Sequence, residues 1–490
     1  MDQPTNILCV VPSRLAVGEE FTLKVKVCGP VHEIPSAGSW NTPKPGLRSP
    51  FNLNVQRQIQ FMDNCLPEWA GKLVVDSSSD GVKGPEELTF DGINQGVYEQ
   101  DRRPIKVFRG FTCTKPGFHF LRLTDPESGV VGRANPIHVT ADVPEERIFW
   151  GDPHWQTFFT DGIRCPEELY AFARDEAFLD FGAISDHMEG VTDRQWEYFQ
   201  AVTDDYNHPS RFVTLHGQEW THHVTKNGAP GHRNVYFCKA GGPPLRCTDE
   251  RCNTLEKLWS MLDELDEYDP IAIPHHSANR IMGVDWEQGW NPKYEKAVEI
   301  YSVWGSSEKP AEEGNKRPIH ACGGEVAGRH VRDALERGFR FGFVGGGDIH
   351  DGRPGDDLHN ESYPPKDFQS HPEGFTAALC PALSRSHIHG AIKNHRTYAT
   401  TKRRIYLDVV ENGEAGLGAV RFEAASEEEI DKVTVVHNGK DVHAYTPLED
   451  PRIVRGDWEP PGFGPDDYCY FRVTTEEGNM AWSSPIYGSD

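Results

Sequence analysis

The stretch 147–187, RIFWGDPHWQTFFTDGIRCPEELYAFARDEAFLDFGAISDH, most constrains what this chain can fold into. Two short apolar runs, 148–150 and 181–184, each stop at acid and imidazole groups. The first delivers Asp152 and His154, with Asp161 shortly after; the second delivers Asp186 and His187. Between them Pro166 suits the first position of a helix, and Glu167 and Glu168 suit the positive end of its dipole. Leu169, Phe172, Ala173 and Ala177 fall near one helical face. A strand–helix–strand unit of this kind brings its strand ends together on one face of a parallel sheet or barrel.

The pattern recurs up to about residue 401. Candidate parallel strands fall at 148–151, 181–185, 212–215, 234–237, 271–273, 297–301 and 341–345. A helix is expected at 254–267, where Thr254 suits the N-cap, and another at 329–337, with Gly338 as its stop. The residues that follow the strands matter most. After the third come His216, Glu219, His222 and His223. His232 precedes the fourth, and His275-His276 follow the fifth. Glu299 lies inside the sixth, and Asp348-Ile349-His350 follow the seventh. In a barrel such groups converge on one mouth. Side chains adjacent on an extended segment point opposite ways, so one of His275 and His276 is expected to enter it. His222, His223 and His232 compete for one place.

Histidine, aspartate and glutamate without cysteine suit Zn²⁺, Mn²⁺ or Fe better than Ca²⁺. The donors exceed what one ion needs, so two or three divalent ions are expected, with Glu219 as the bridging carboxylate. A hydroxide held between close metals would then attack an ester. The glycines 345–347 lack dinucleotide-loop spacing and instead suit a turn that brings backbone close to the cluster.

Regions 1–146 and 402–490 read differently. Both show short alternating strands and no long amphipathic helix, as in EFTLKVKV at 20–27 and YCYFRV at 468–473. Asn438-Gly439 marks a hairpin turn. The expected architecture is α/β: a central barrel at 147–401 flanked by N- and C-terminal β-sandwich-like modules. The formal net charge of −25 argues against a nucleic-acid or anionic-membrane partner. No run reaches the about 18 apolar residues of a membrane span, so a cytoplasmic location is the expectation.

In their order, His154 with Gln156, Asp186-His187, Glu219, His275 and Asp348-x-His350 resemble the motifs of the polymerase and histidinol phosphatase (PHP) superfamily. The segments GDPHWQT, GAISDH, GQEW, GHRNVYF, IPHH, VEIYSVWGSSE, GGGDIHDGRPG and WSSPI are similar to a PHP-like branch of uncharacterised proteins. The resemblance implies a distorted seven-stranded (β/α) barrel with a di- or trinuclear metal site, and hydrolysis of a phosphoester. It implies His154, His187, Glu219, His275, Asp348 and His350 as metal ligands, with His232 as a further one. The first motif usually reads His-x-His. Gln156 stands at its second position and offers a weaker, neutral oxygen, for which Asp161 or Asp152 would compensate. Glu219 is expected to act in catalysis, and Asp186 to orient a neighbouring ligand. Arg353 is expected to bind an anionic oxygen, and His276 to face a small anionic substrate. Other readings keep the metals but cleave a sulfate ester, phosphonate or amide, or make the site structural in a binding protein.

Overall fold

The computed structural model describes residues 3–33, 62–96, 102–222, 230–356, 371–411, 419–460 and 462–488. His223, most of the proline-rich stretch 30–50 and most of the loop 356–372 lie outside the described residues.

The N-terminal region is β-rich, as its alternation implies. In Glu20–Cys28, Phe21, Leu23, Val25 and Val27 turn to one face and are buried. This strand lies between Asn6–Val10 and Ile105–Cys113 in an antiparallel sheet. A second antiparallel sheet holds Leu121–Thr124 between Val131–Arg133 and Lys72–Ser77. Leu73, Leu121 and Leu123 of the second sheet share a core with Leu23, Val25 and Val27 of the first. Each fully buried side chain of this type contributes roughly 1.5–3 kcal/mol, so the pairing of faces carries the module.

The central region departs from the expected barrel. Arg147–Trp155, Phe181–Ile184 and Val213–Thr214 run parallel, as do Ala297–Ser302 and Gly342–Gly345. Arg233–Phe237, expected to be parallel, is antiparallel to both His216–Trp220 and Ile271–Pro274. The link from Trp220 to Arg233 contains Asn227-Gly228 and Pro230-Gly231. It carries no pattern for the helix that normally makes a parallel crossover. The strands form three separate sheets, and no closed barrel is present among the described residues. The fold is mixed α/β with many sheets and few helices.

Two strands without ligand residues complete the largest sheet. Gly374–Cys380 pairs antiparallel with Arg147–Trp155, and Thr397–Thr401 pairs with Gly374–Cys380. From there the sheet continues into Met480–Ser483, Tyr468–Thr475, Ile430–His437 and Lys440–Tyr445. The C-terminal strands therefore extend the sheet that carries His154. A smaller sheet, Tyr406–Glu411, Val420–Ala425 and Ile453–Trp458, packs on it, with Phe422 and Phe471 ring centroids 4.9 Å apart. In the large sheet the Asn438-Gly439 turn joins Ile430–His437 to Lys440–Tyr445 with both residues at positive φ, 48° and 71°.

The helices start where capping chemistry allows. Pro166–Asp175 begins at Pro166 and buries Leu169, Phe172 and Ala173; Leu255–Glu264 is capped by the Thr254 hydroxyl. The short Val331–Glu336 helix lies within the expected 329–337. Asp193–Asp205 and Arg385–Lys393 are further helices, each capped by a hydroxyl from Thr192 or Ser384. No helix among the described residues is long and apolar enough to cross a membrane.

Asp193–Asp205 also supplies Asp204, whose carboxylate lies 2.9 Å from His216 Nε2. Burial, reinforced by Arg385, lowers the His216 pKa from 6.5 to about 4. Its folded pKa lies below its unfolded one, so His216 contributes stability above about pH 6.5 that is lost as the pH falls toward 4. The melting temperature should drop across that window. His216→Asn, which cannot charge, should flatten the drop by roughly 2–5 °C. Identical melting curves for the two proteins from pH 7 to 4 would remove His216 as the source.

Candidate metal centre

A bulge at 152–155 interrupts the pairing of Arg147–Trp155 with Phe181–Ile184 and re-aims the end of the strand. Asp152 turns back to accept hydrogen bonds from the amides of His154 and Gly347, at 3.0 and 2.7 Å. His154 is fully buried, and its Nδ1 lies 3.0 Å from Glu299 Oε2. Donation from Nδ1 to this carboxylate leaves Nε2 as the ligating nitrogen. Nε2 lies 3.2 Å from Asp348 Oδ1 and 3.6 Å from Glu219 Oε2.

Glu219 stands at the centre. Its Oε1 lies 2.7 Å from His232 Nδ1, 3.3 Å from His275 Nε2 and 3.5 Å from His187 Nδ1. Asp161 Oδ1 lies 3.5 Å from His187 Nε2 and 3.3 Å from His350 Nε2. The His350 Nδ1 is spent on the Asp348 carbonyl, 2.8 Å away, so its Nε2 faces Asp161. Ligand atoms within 4.8 Å of one another form four overlapping sets: His154, Glu219 and His275; His187, Glu219 and His232; Asp161, His187 and His350; and His232, His275 and His276. Glu219, His187, His232 and His275 each serve two sets.

Buried polar atoms without hydrogen-bond partners gather at the same place: His154 Nε2, Asp161 Oδ1, both ring nitrogens of His275, and His276 Nδ1. Such atoms ordinarily find a partner, because leaving one buried and unmet costs about 1–3 kcal/mol. Divalent cations would take one such atom from each of these side chains, and the donor set fits Zn²⁺, Mn²⁺ or Fe.

The electrostatics agree. Burial would raise the Glu219 pKa, but His187, His275 and His232 hold it well below the carboxylate range. Burial is likewise outweighed at Asp348, chiefly by His154, leaving it well below that range. Burial opposes charge on His154 and His187; Asp348 and Glu299 override it at the first, Glu219 and Asp161 at the second, and both pKa values stand well above normal. His350 rises to about 8, where Asp161 overcomes burial, whereas burial takes His232 down to about 4 despite Glu219. Protonated imidazoles thus supply the counter-charge that bound cations would replace, with release of protons.

Several expected roles change. Gln156 does not present its oxygen to the cluster. Its Nε2 donates to Glu219 Oε2 at 2.8 Å and to the Ser185 carbonyl at 3.0 Å, while its oxygen lies 3.1 Å from the Thr160 hydroxyl. Flipping the amide would set its oxygen against two acceptors, so the orientation is fixed by chemistry. Asp186 accepts from Thr157 and Thr160 and so holds the turn that carries Gln156 and Asp161. Burial lifts its pKa to about 6 against those bonds. His187 Nδ1 instead meets the Thr221 hydroxyl at 2.6 Å. Arg353 directs Nη1 to Asn64 in the N-terminal region, 3.3 Å away, which ties the loop after His350 to that region. Of the competing histidines, His232 enters the cluster, and His222 lies against the Trp220 ring, 5.4 Å between centroids.

The alternation expected for His275 and His276 is broken. His276 has φ +34°, so the two imidazoles face the same side, 4.3 Å between centroids. Asp348 also takes positive φ, +52°. Such residues cost on the order of 1–3 kcal/mol each and persist where the surroundings dictate them, commonly at functional sites. The glycines before Asp348 answer to crowding. A Cβ on Gly346 would sit 2.1 Å from Glu299 Oε2.

Trp304, which the sequence places near a strand-end loop as a pocket-lining candidate, bonds a site carboxylate directly. Its indole N–H donates to Asp348 Oδ2 from the turn after Ala297–Ser302. The one available signal was its place directly beyond a ligand-bearing strand.

The fold and the site together define a mixed α/β protein with a buried histidine–carboxylate cluster at strand ends that could hold metal ions. Residues 165–302 match a family model described as a protein of unknown function, DUF3604. Uncharacterized proteins of Chlamydia muridarum and Chlamydia trachomatis serovar D are each 27% identical to the chain, over 82% of it and 67% of their own length. A solved two-domain protein from Bacteroides vulgatus, described as containing a predicted PHP-like metal-dependent phosphoesterase, aligns with 70% of this chain and 98% of its own. The sequence identity is 14% and the TM-score 0.36.

Trp304→Phe keeps the ring and removes only the N–H. It should weaken zinc binding about 10–100-fold with the fold intact, read by competition against a chromophoric chelator. Wild-type affinity in this variant would mean that the indole does not orient Asp348.

Proposed function

We propose that this chain is a metal-dependent hydrolase that binds two or three divalent ions around Glu219 and His187 and cleaves a phosphoester. The observation that carries the reading is the set of four overlapping ligand groups, rich in buried nitrogen and oxygen atoms that lack hydrogen-bond partners. The choice of phosphoester is supported by the ordered resemblance of His154, Asp186-His187, Glu219, His275 and Asp348-x-His350 to the PHP superfamily.

Bound ions supply a nucleophile at neutral pH and stabilise the charge that develops on the attacked ester. The chain's own residues provide the geometry. Glu299 fixes the tautomer of His154, Trp304 fixes Asp348, Thr221 holds His187, and Gln156 holds Glu219. Substrate approaches from the Asp161–His187 side. Those side chains are 24% and 20% exposed, whereas His154, Glu219 and His275 are at most 1% exposed. A small anionic substrate suits a centre that holds cations.

Elemental analysis of protein purified without added metal should find two or three equivalents of Zn, Mn or Fe, with at least one lost in Glu219→Ala. Hydrolysis of an aryl phosphate should vanish with chelator, return with metal, and fall at least about 100-fold in His154→Ala and Asp348→Ala. Less than one equivalent, unchanged in Glu219→Ala, would sink the proposal. Turnover of sulfate or amide reporters alone would reassign the bond.

A further inference from the structure

We infer that His276 is a ligand of the same metal centre and makes up for the imidazole that Gln156 does not supply. The inference rests on the metal-centre reading above, though not on the bond that is cleaved.

Three observations carry it. First, the place beside His154 that the family motif gives to a second histidine holds an amide turned the wrong way. Gln156 offers Glu219 a proton at 2.8 Å, and its oxygen lies beside Thr160. The His154–Asp348 pair therefore receives no ligand from position 156. Second, His276 is buried at 3% exposure. Its Nε2 lies 4.0 Å from Asp348 Oδ2, and it shares a ligand set with His232 and His275. Two donors on one ion, each about 2.0–2.2 Å from it, stand roughly 3–4 Å apart. The His276–Asp348 spacing falls at the upper end of that range, too long for a hydrogen bond. Third, the backbone is held at φ +34° at this residue. With ordinary extended geometry the His276 ring would leave the mouth that His275 enters. The strained conformation has the specific effect of delivering a second imidazole from one strand end.

A substrate-facing histidine would share the burial and the position, so the test must report contact with the ion. The full-length apo protein is loaded with Co²⁺, and bound equivalents and the visible spectrum are recorded. His276→Ala should lose one equivalent or bind it at least about 10-fold more weakly, with an altered cobalt spectrum. Gln156→His in that background should restore the lost equivalent. His276→Cys should keep the metal and gain a near-ultraviolet sulfur-to-cobalt charge-transfer band absent from wild type. This second variant decides the matter if His276→Ala fails to fold. Unchanged stoichiometry and affinity in His276→Ala, or a loaded His276→Cys with no new band, would overturn the inference and leave the hydrolase reading intact. A wild-type protein that takes up no cobalt would overturn both. Cobalt binding that depends on His276, in a protein that hydrolyses no ester, would sustain this inference and sink the other.

Discussion

A carboxylate withdrawn from water sets the terms for the rest of this molecule. Glu219 is 1% exposed, and an ion so placed forfeits several kcal/mol of solvation that its neighbours must return. One oxygen meets three imidazoles, and the other meets an amide N–H. Those partners come from four different stretches of chain. The architecture can be seen as the means of bringing them together without leaving any of their own polar atoms in apolar surroundings. Among those partners His275 keeps both ring nitrogens unmet, at the place where a cation would take one of them.

The supporting groups show how that is done. Short polar residues next to the ligands, Thr157, Thr160 and Thr221, take up the hydrogen-bonding capacity of Asp186 and His187. A buried pair, Arg233 with Glu295 at 2.6 Å, anchors the strand just beyond His232. Two of the eight non-glycine residues at positive φ among the described residues, His276 and Asp348, lie in the centre. Precision there is bought with local strain and repaid by packing in the surrounding sheets.

Much of the centre was legible in the sequence because a strand end is a local event. His154, His187, Glu219 and Asp348 are announced by apolar runs that stop at a ligand, and the structure brings all four together. What the sequence hid depends on long-range geometry or on one dihedral. The period-2 rule misplaced His276 because a positive φ resets the alternation. Arg233–Phe237 shows the same apolar run as a parallel strand, and only the helix-free link before it marks it as antiparallel. Gly374–Cys380 and Thr397–Thr401 went unremarked because they carry no ligand, although one is the direct neighbour of Arg147–Trp155. Gln156 was legible as a departure from the motif. Its role as a donor to Glu219 required knowing where the Ser185 carbonyl lies.

The unbroken sheet that runs from Arg147–Trp155 through Gly374–Cys380 and Thr397–Thr401 to Met480–Ser483 has a consequence for how the chain can be divided. Cutting after residue 401 would strip Thr397–Thr401 of its partner and expose a buried run of backbone donors and acceptors as a raw edge, the template from which chains stack into aggregates. The same cut would leave only Gly374–Cys380 and Thr397–Thr401 between the strand carrying His154 and that edge. The strands between 430 and 483 thus act as a selvedge: they finish the edge of the fabric in which the candidate metal ligands are woven.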